Sequence, residues 1–211
     1  MEQELIQAEG IHRTSVIRRG VNLEYFTIAY NSLEGLIAVI AGFMAGSIAL
    51  VGFGFDSVIE VTSGAALLWR LHADADEAWR ERVELITLRI VGICFLALAL
   101  YVGYEAISSL VYFELPERSV LGILLAIASL IVMPLLTRAK RGVAGAIRSE
   151  AMLADAKQTE LCTYLSAILL GGLLLNALLG WWWADPVAAL VMVPIIAKEG
   201  IEALRGDPCC D

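Results

Sequence analysis

Six stretches of this chain are apolar for about twenty residues or more, at roughly 22–46, 48–71, 83–111, 119–137, 150–179 and 181–203. A stretch that long spans the hydrocarbon core of a bilayer, where no water is present to pair exposed backbone N–H and C=O groups. Each segment must therefore satisfy its own backbone. The expected fold is an all-α integral membrane protein with six transmembrane helices. Composition agrees, since 59% of residues are hydrophobic and only 18% charged, with a mean hydropathy of +0.74. Soluble domains hold roughly half apolar residues.

Orientation follows lysine and arginine rather than net charge. Arg70, Arg80 and Arg82 flank the connection between the second and third spans, and Arg138, Lys140, Arg141 and Arg148 crowd the one between the fourth and fifth. The connection between spans three and four carries only Arg118, beside Glu114 and Glu117. The positive-inside rule thus places both basic loops and both termini in the cytoplasm. Residues 1–21 read as a cytoplasmic segment without a signal peptide, 22–206 as the six-helix membrane domain and 207–211 as a short cytoplasmic tail with Cys209 and Cys210. Trp181, Trp182 and Trp183 then lie at the outer interface, where indoles prefer to sit. Pro134 and Pro194 are expected to bend or end spans four and six. The glycines are expected to serve mainly helix packing.

Asp56 and Glu60 sit one helical turn apart in the second span, so both carboxylates project from one face. A bilayer centre penalises each charge by about 2.5–3.5 kcal/mol or more. A divalent cation or a shared proton would compensate them. In the fifth span Asp155, Gln158, Thr159, Cys162 and Ser166 form a second polar stripe, while Lys157 and Glu160 point elsewhere. Spans two and five run in opposite directions, so on contact Glu60 would lie nearest Asp155 and Gln158, with Asp56 nearer Cys162. Thr27, Tyr30, Asn31 and Glu34 make a third stripe, in which Glu34 is an extra ligand, a proton acceptor or a packing acid. Cys162 reads either as a small filler or as a thiol ligand. Asp185, beside Pro186, reads as a helix N-terminal residue favoured by the dipole. His72, Asp74 and Asp76 read as a solvated acidic loop, or else as a cation-attracting mouth.

The run Ala45-Gly-Ser-Ile-Ala-Leu, followed by Asp56-Ser-Val-Ile-Glu60, together with Ala154-Asp155 and Ala184-Asp185-Pro186, resembles the cation diffusion facilitator family. The resemblance covers roughly residues 20–206. It implies a six-span metal exporter that exchanges Zn²⁺ or a similar ion for protons, with a tetrahedral site between spans two and five. The family's His-x-x-x-Asp of span five falls on Gln158 and Cys162, so the usual imidazole is missing, and Asp155 stands one turn earlier as its substitute. With Asp211 as its last residue, the chain is expected to lack the family's cytoplasmic metal-binding domain, and in this it resembles a short branch of the family. A homodimer would then form through the membrane helices.

The expected metal-binding residues are Asp56, Glu60, Asp155 and Gln158, with Zn²⁺ as the expected cargo and Cd²⁺, Co²⁺, Mn²⁺ and Fe²⁺ left open. No cofactor is expected. The expected partners are the transported metal, protons and membrane lipid, with no nucleic acid, and the expected location is a bacterial inner membrane. No Ser/His or His-rich catalytic set points to an enzyme. The rival reading is a non-transporting membrane scaffold whose buried acids hold helices together.

Overall fold

The computed structural model describes residues 2–72, 77–113, 116–147 and 150–205. The chain forms six helices: α1 (Glu2–Ala45), α2 (Ile48–His72), α3 (Glu77–Tyr112), α4 (Val120–Ile147), α5 (Glu150–Leu179) and α6 (Ala184–Arg205). Five of them are long and apolar enough to cross a bilayer. The sixth carries Asp185, Lys198, Glu199 and Glu202, which lower its apolarity. Its 22 residues nevertheless span about 33 Å at 1.5 Å per residue. Asp74, Asp76, Cys209 and Cys210 lie outside the described residues, as does the side chain of His72.

Three helices exceed their expected bounds. α1 and α3 begin earlier than their apolar stretches, because polar residues continue a helix readily where no bilayer needs to be matched. α4 runs ten residues beyond the expected end of span four, carrying Pro134 in its interior, and α6 likewise continues past Pro194. Neighbouring helices support a membrane helix across the hydrogen bond that proline removes. Arg138, Lys140 and Arg141 are consequently helical, not part of a loop.

Helices pack chiefly as the antiparallel pairs α1–α2, α3–α6 and α4–α5. α2 sits inside, against α1, α3, α5 and α6, and 61% of its apolar window is buried where the other four candidate spans have 33–39%. Small residues make this closeness possible. A Cβ on Gly54 would stand 2.9 Å from the Val39 nitrogen, and one on Gly92 would stand 2.8 Å from the Gly200 carbonyl oxygen. Phe53, Leu50, Met133, Leu165, Leu169 and Met192 fill the shared core. Outward, Leu36, Met44, Leu100, Leu124 and Leu178 present apolar surface, while Asn31, Asp56, Glu60 and Asp155 point inward. That inversion of the soluble pattern is what a lipid solvent selects.

One end of the bundle is stitched by hydrogen bonds. Gly46, at φ 62°, closes α1, with the Ser47 N–H donating to the Gly42 carbonyl and the Gly46 N–H to Phe43. These two bonds are the Schellman pattern, which needs a left-handed residue that glycine adopts freely. Ser47 then caps α2, its hydroxyl accepting from the Leu50 N–H at 3.2 Å. Asp185, in the first turn of α6, accepts from the Ile48 N–H at 2.9 Å, the Ala49 N–H at 3.4 Å and the Ser47 hydroxyl. Its role is wider than favouring its own helix dipole. It caps α2 from 137 residues away, and the two sequence motifs around Ser47 and Asp185 are halves of one joint. Glu117 N–H donates to the Ala45 carbonyl at 2.7 Å, and Asn176 Nδ2 to the Pro116 carbonyl at 3.1 Å, tying the α3–α4 connection to the same end.

Removing the joint should loosen the fold without touching the acids of α2. Asp185→Ala is expected to destabilise the protein by about 1–3 kcal/mol, the usual loss when buried donors to a charged acceptor are orphaned. Asp185→Asn should lose less. Thermal unfolding in detergent measures both, and an Asp185→Ala variant that melts with wild type would refute the joint.

The α3–α6 contact generates a second expectation. Gly92→Ala should cost about 1–3 kcal/mol by overpacking against Gly200. Gly103→Ala, whose Cβ would meet only Val193 at an ordinary 3.7 Å, should be close to neutral. Equal melting temperatures for the two variants would contradict the observed close approach.

Candidate functional site

Heptad-like spacing places the polar residues of four helices on one interior seam. In α1 the buried positions on this face include Glu24, Thr27, Asn31 and Glu34, and in α2 Phe53, Asp56, Ser57 and Glu60. In α4 they run Ala126, Ser129, Met133, Leu136, Lys140 and Val143, and in α5 Asp155, Thr159, Cys162 and Ser166. Steps of three and four keep such residues on one face of a helix.

Asp56 and Glu60 project into the bundle as expected, with only 6% and 1% of their surfaces exposed. Asp56 lines a small cavity with Gln158, Phe95, Leu161, Leu165, Ile195, Ile196 and Glu199. Its charged neighbours are Glu60, Glu34 and Glu199. The structure therefore brings Asp56 and Gln158 together across α2 and α5, and adds Glu199 of α6, which the sequence reading did not single out. Glu60 lies one turn deeper along α2, among Lys140, Asp155, Thr159 and Cys162. Neither of its carboxylate oxygens has a hydrogen-bond partner among the described residues, and neither does Gln158 Nε2.

Asp155 meets a partner that the sequence reading missed. Lys140, fully buried, donates to Asp155 Oδ2, to Glu24 Oε2 at 3.2 Å and to Thr159 Oγ1 at 3.2 Å. One ammonium thus joins α4 to α1 and α5. By composition Lys140 groups with Arg138, Arg141 and Arg148 in a basic connection. The seven-residue steps from Ala126 to Met133 to Lys140 are the available signal that it shares their buried face. Glu24 lies at the edge of the first apolar stretch, three residues before Thr27, and belongs to the stripe read there.

The expected pairing of individual residues is modified. Gln158 turns to the Asp56 cavity, and Cys162 stands beside Glu60. Glu34 accepts from the Tyr30 hydroxyl at 3.1 Å and the Ser57 hydroxyl at 3.4 Å. Glu160 points away from the seam and pairs with Arg141 on the exposed face. Cys162 is a buried free thiol and Cys94 an exposed one. Among the described residues, no three His, Cys, Asp or Glu side chains converge closely enough to hold an ion together in this arrangement. Asp56, Glu60, Asp155 and Gln158 share the seam, but Asp155 is turned onto Lys140.

Such a seam can do two things chemically. Oxygen-rich, desolvated carboxylates on rigid helices suit a hard or borderline dication. Buried carboxylates packed against one another also exchange protons as a set rather than singly.

Comparison with known proteins places these features in a family. An uncharacterized transporter of Methanocaldococcus jannaschii is 27% identical over 182 residues, which cover 83% of this chain and 64% of that relative. The chain thus spans less than two thirds of that relative's length. The model of the cation efflux transmembrane domain matches residues 25–206, which takes in every seam residue named above except Glu24. Its members are transporters rather than enzymes. The chain belongs to the cation efflux transmembrane domain family.

Proposed function

We propose that this protein exports a divalent transition metal from the cytoplasm, Zn²⁺ first among candidates, in exchange for protons. Asp56, Glu60, Asp155 and Gln158 supply the ligands. The observation that carries this reading is the pair of unpartnered Glu60 oxygens, buried beside Asp155 and one turn from the cavity that Asp56 shares with Gln158. A buried ionisable group without a partner is expensive to keep unless something transient satisfies it. A passing cation, or the protons that it displaces, would do so.

Alternating access would make use of the way the seam is built. The acids stand on α2 and α5, and rocking these helices against their neighbours would open the cavity to either side in turn. Imidazole is missing from the ligand set, so oxygen donors dominate, and Cys162 is the softer donor within reach of Glu60. A scaffold role finds its support in Asp155, which Lys140 holds in an ion pair. It leaves unexplained the two Glu60 oxygens that accept no hydrogen bond.

Variants separate these readings in proteoliposomes. Asp56→Ala and Glu60→Ala should each abolish metal flux in a folded protein, because a dication loses a charge that no neighbour replaces. Asp155→Asn should lower flux more than Gln158→Ala, with Cys162→Ser the mildest. Wild-type flux in Asp56→Ala or Glu60→Ala would sink the ligand set, and a dominant effect of Cys162→Ser would replace it with a thiolate site.

Coupling is read by an internal pH dye. A proton gradient directed into the cytoplasmic compartment should accelerate metal export, and export alone should acidify that compartment. A channel passes metal with no such proton movement. Flux indifferent to a gradient of about two pH units, wide enough to titrate a coupled carboxylate set, would defeat antiport even if the ligands are correct.

A further inference from the structure

The metal-site reading makes no use of Lys140, although it is among the largest fully buried side chains of the bundle. An ammonium has three N–H donors, and here all three are engaged, by Asp155 Oδ2, Glu24 Oε2 and Thr159 Oγ1. These are three oxygen atoms from two helices, which is how an oxygen-seeking cation is seated. Around that shell four more carboxylate oxygens lie buried without partners: Glu24 Oε1, Asp155 Oδ1 and both oxygens of Glu60. Three carboxylates thus surround one positive charge, and two of the three, Asp155 and Glu60, belong to the proposed ligand set.

We propose that the Lys140 ammonium is a tethered counter-cation that competes with the transported dication for Asp155. The proposal deepens the metal-site reading and rests on it. In the arrangement seen here the ammonium holds Asp155, and the converging ligand set is incomplete. A dication arriving at Glu60 must take Asp155 from Lys140, whose Nζ retains Glu24 as an alternative partner at 3.2 Å. The two cations repel, so each weakens the hold of the other. Lys140 therefore keeps the cargo releasable, and its transfer toward Glu24 loosens the direct link between α4 and α5 at the moment of binding.

A purely structural lysine makes the opposite prediction. Removing a helix staple weakens or leaves unchanged the binding of metal, whereas removing a competitor strengthens it. The experiment titrates Zn²⁺ in chelator-buffered solution into the full-length protein in detergent, for wild type, Lys140→Gln, Lys140→Arg and Glu60→Ala. Lys140→Gln is expected to bind Zn²⁺ at least about tenfold more tightly, about 1.4 kcal/mol. Its flux should show a lowered KM together with a lowered kcat, because release slows. Lys140→Arg, which keeps the charge, should stay close to wild type. If Lys140→Gln does not fold, Glu24→Gln with Lys140→Gln removes opposite charges together and should show the same tightening. Unchanged or weaker Zn²⁺ binding in a folded lysine-free variant, with Glu60→Ala weakened, overturns this proposal alone. Wild-type affinity in Glu60→Ala overturns the metal site and this proposal with it.

Discussion

Charge placed where water cannot reach it governs this molecule more than any apolar contact does. Moving a carboxylate or an ammonium into a dry interior is penalised by several kcal/mol even after relaxation, and the attraction of a partner rarely returns more than that. Lys140, Glu24, Asp155 and Glu60 meet at one depth between α1, α2, α4 and α5. A sequence selected only for a stable bundle would place leucine there, since replacing buried ion pairs with apolar residues is often neutral or stabilising. The ionisable seam is therefore evidence of work done on charges. Its surplus of carboxylates fits a site that is satisfied only in passing.

The two ends of α2 contrast in a way that suits such work. At its N-terminus, backbone amides that a helix leaves unpaired are taken up by Ser47 and Asp185, joining α1, α2 and α6 in one cap. That end is over-determined and should move as a unit. Two to three turns further along, Asp56 and Glu60 face α5, and Glu60 has no fixed partner there. Close glycine contacts extend the rigid part, through Gly35 against α2, Gly54 against α1, and Gly172 against Ala188. Helices held at one end and electrostatically unsettled further in can tilt about the fixed joint.

The helices were legible because a lipid environment imposes the same demand on every apolar stretch of sufficient length. Their ends were less so. Composition changes at the membrane surface, but the helix does not, and α4 passes through Pro134 and a run of basic residues before it stops at Ile147. Reading basic residues as a loop hid Lys140, whose burial depends on phase rather than on composition. The acids of α2 and α5 were legible from periodicity and from the resemblance. The exchange of neighbours between Gln158 and Cys162 was not, since it depends on how far each helix is rotated about its own axis. Glu199 could not be anticipated from its own segment, because only the packing of α6 brings it to Asp56.

A transport site differs from a structural metal site in what it must avoid. Four fully committed ligands would hold a dication too well to let it go, and conduction needs binding that is favourable enough to enter and weak enough to leave. Two unit charges 4 Å apart interact by about 4 kcal/mol at an effective dielectric of 20, and a dication doubles that figure. A lysine within reach of the ligand set is thus a strong means of weakening it. By the sequence resemblance, Gln158 stands where an imidazole is expected and Asp155 lies one turn earlier, and the Lys140 ammonium holds that aspartate. Read as ligand chemistry alone, each change makes the site poorer. On the reading proposed above, they would hold the site below saturation by its own counter-ion, the condition under which a small shift of α4 against α5 would decide whether the cargo stays or leaves.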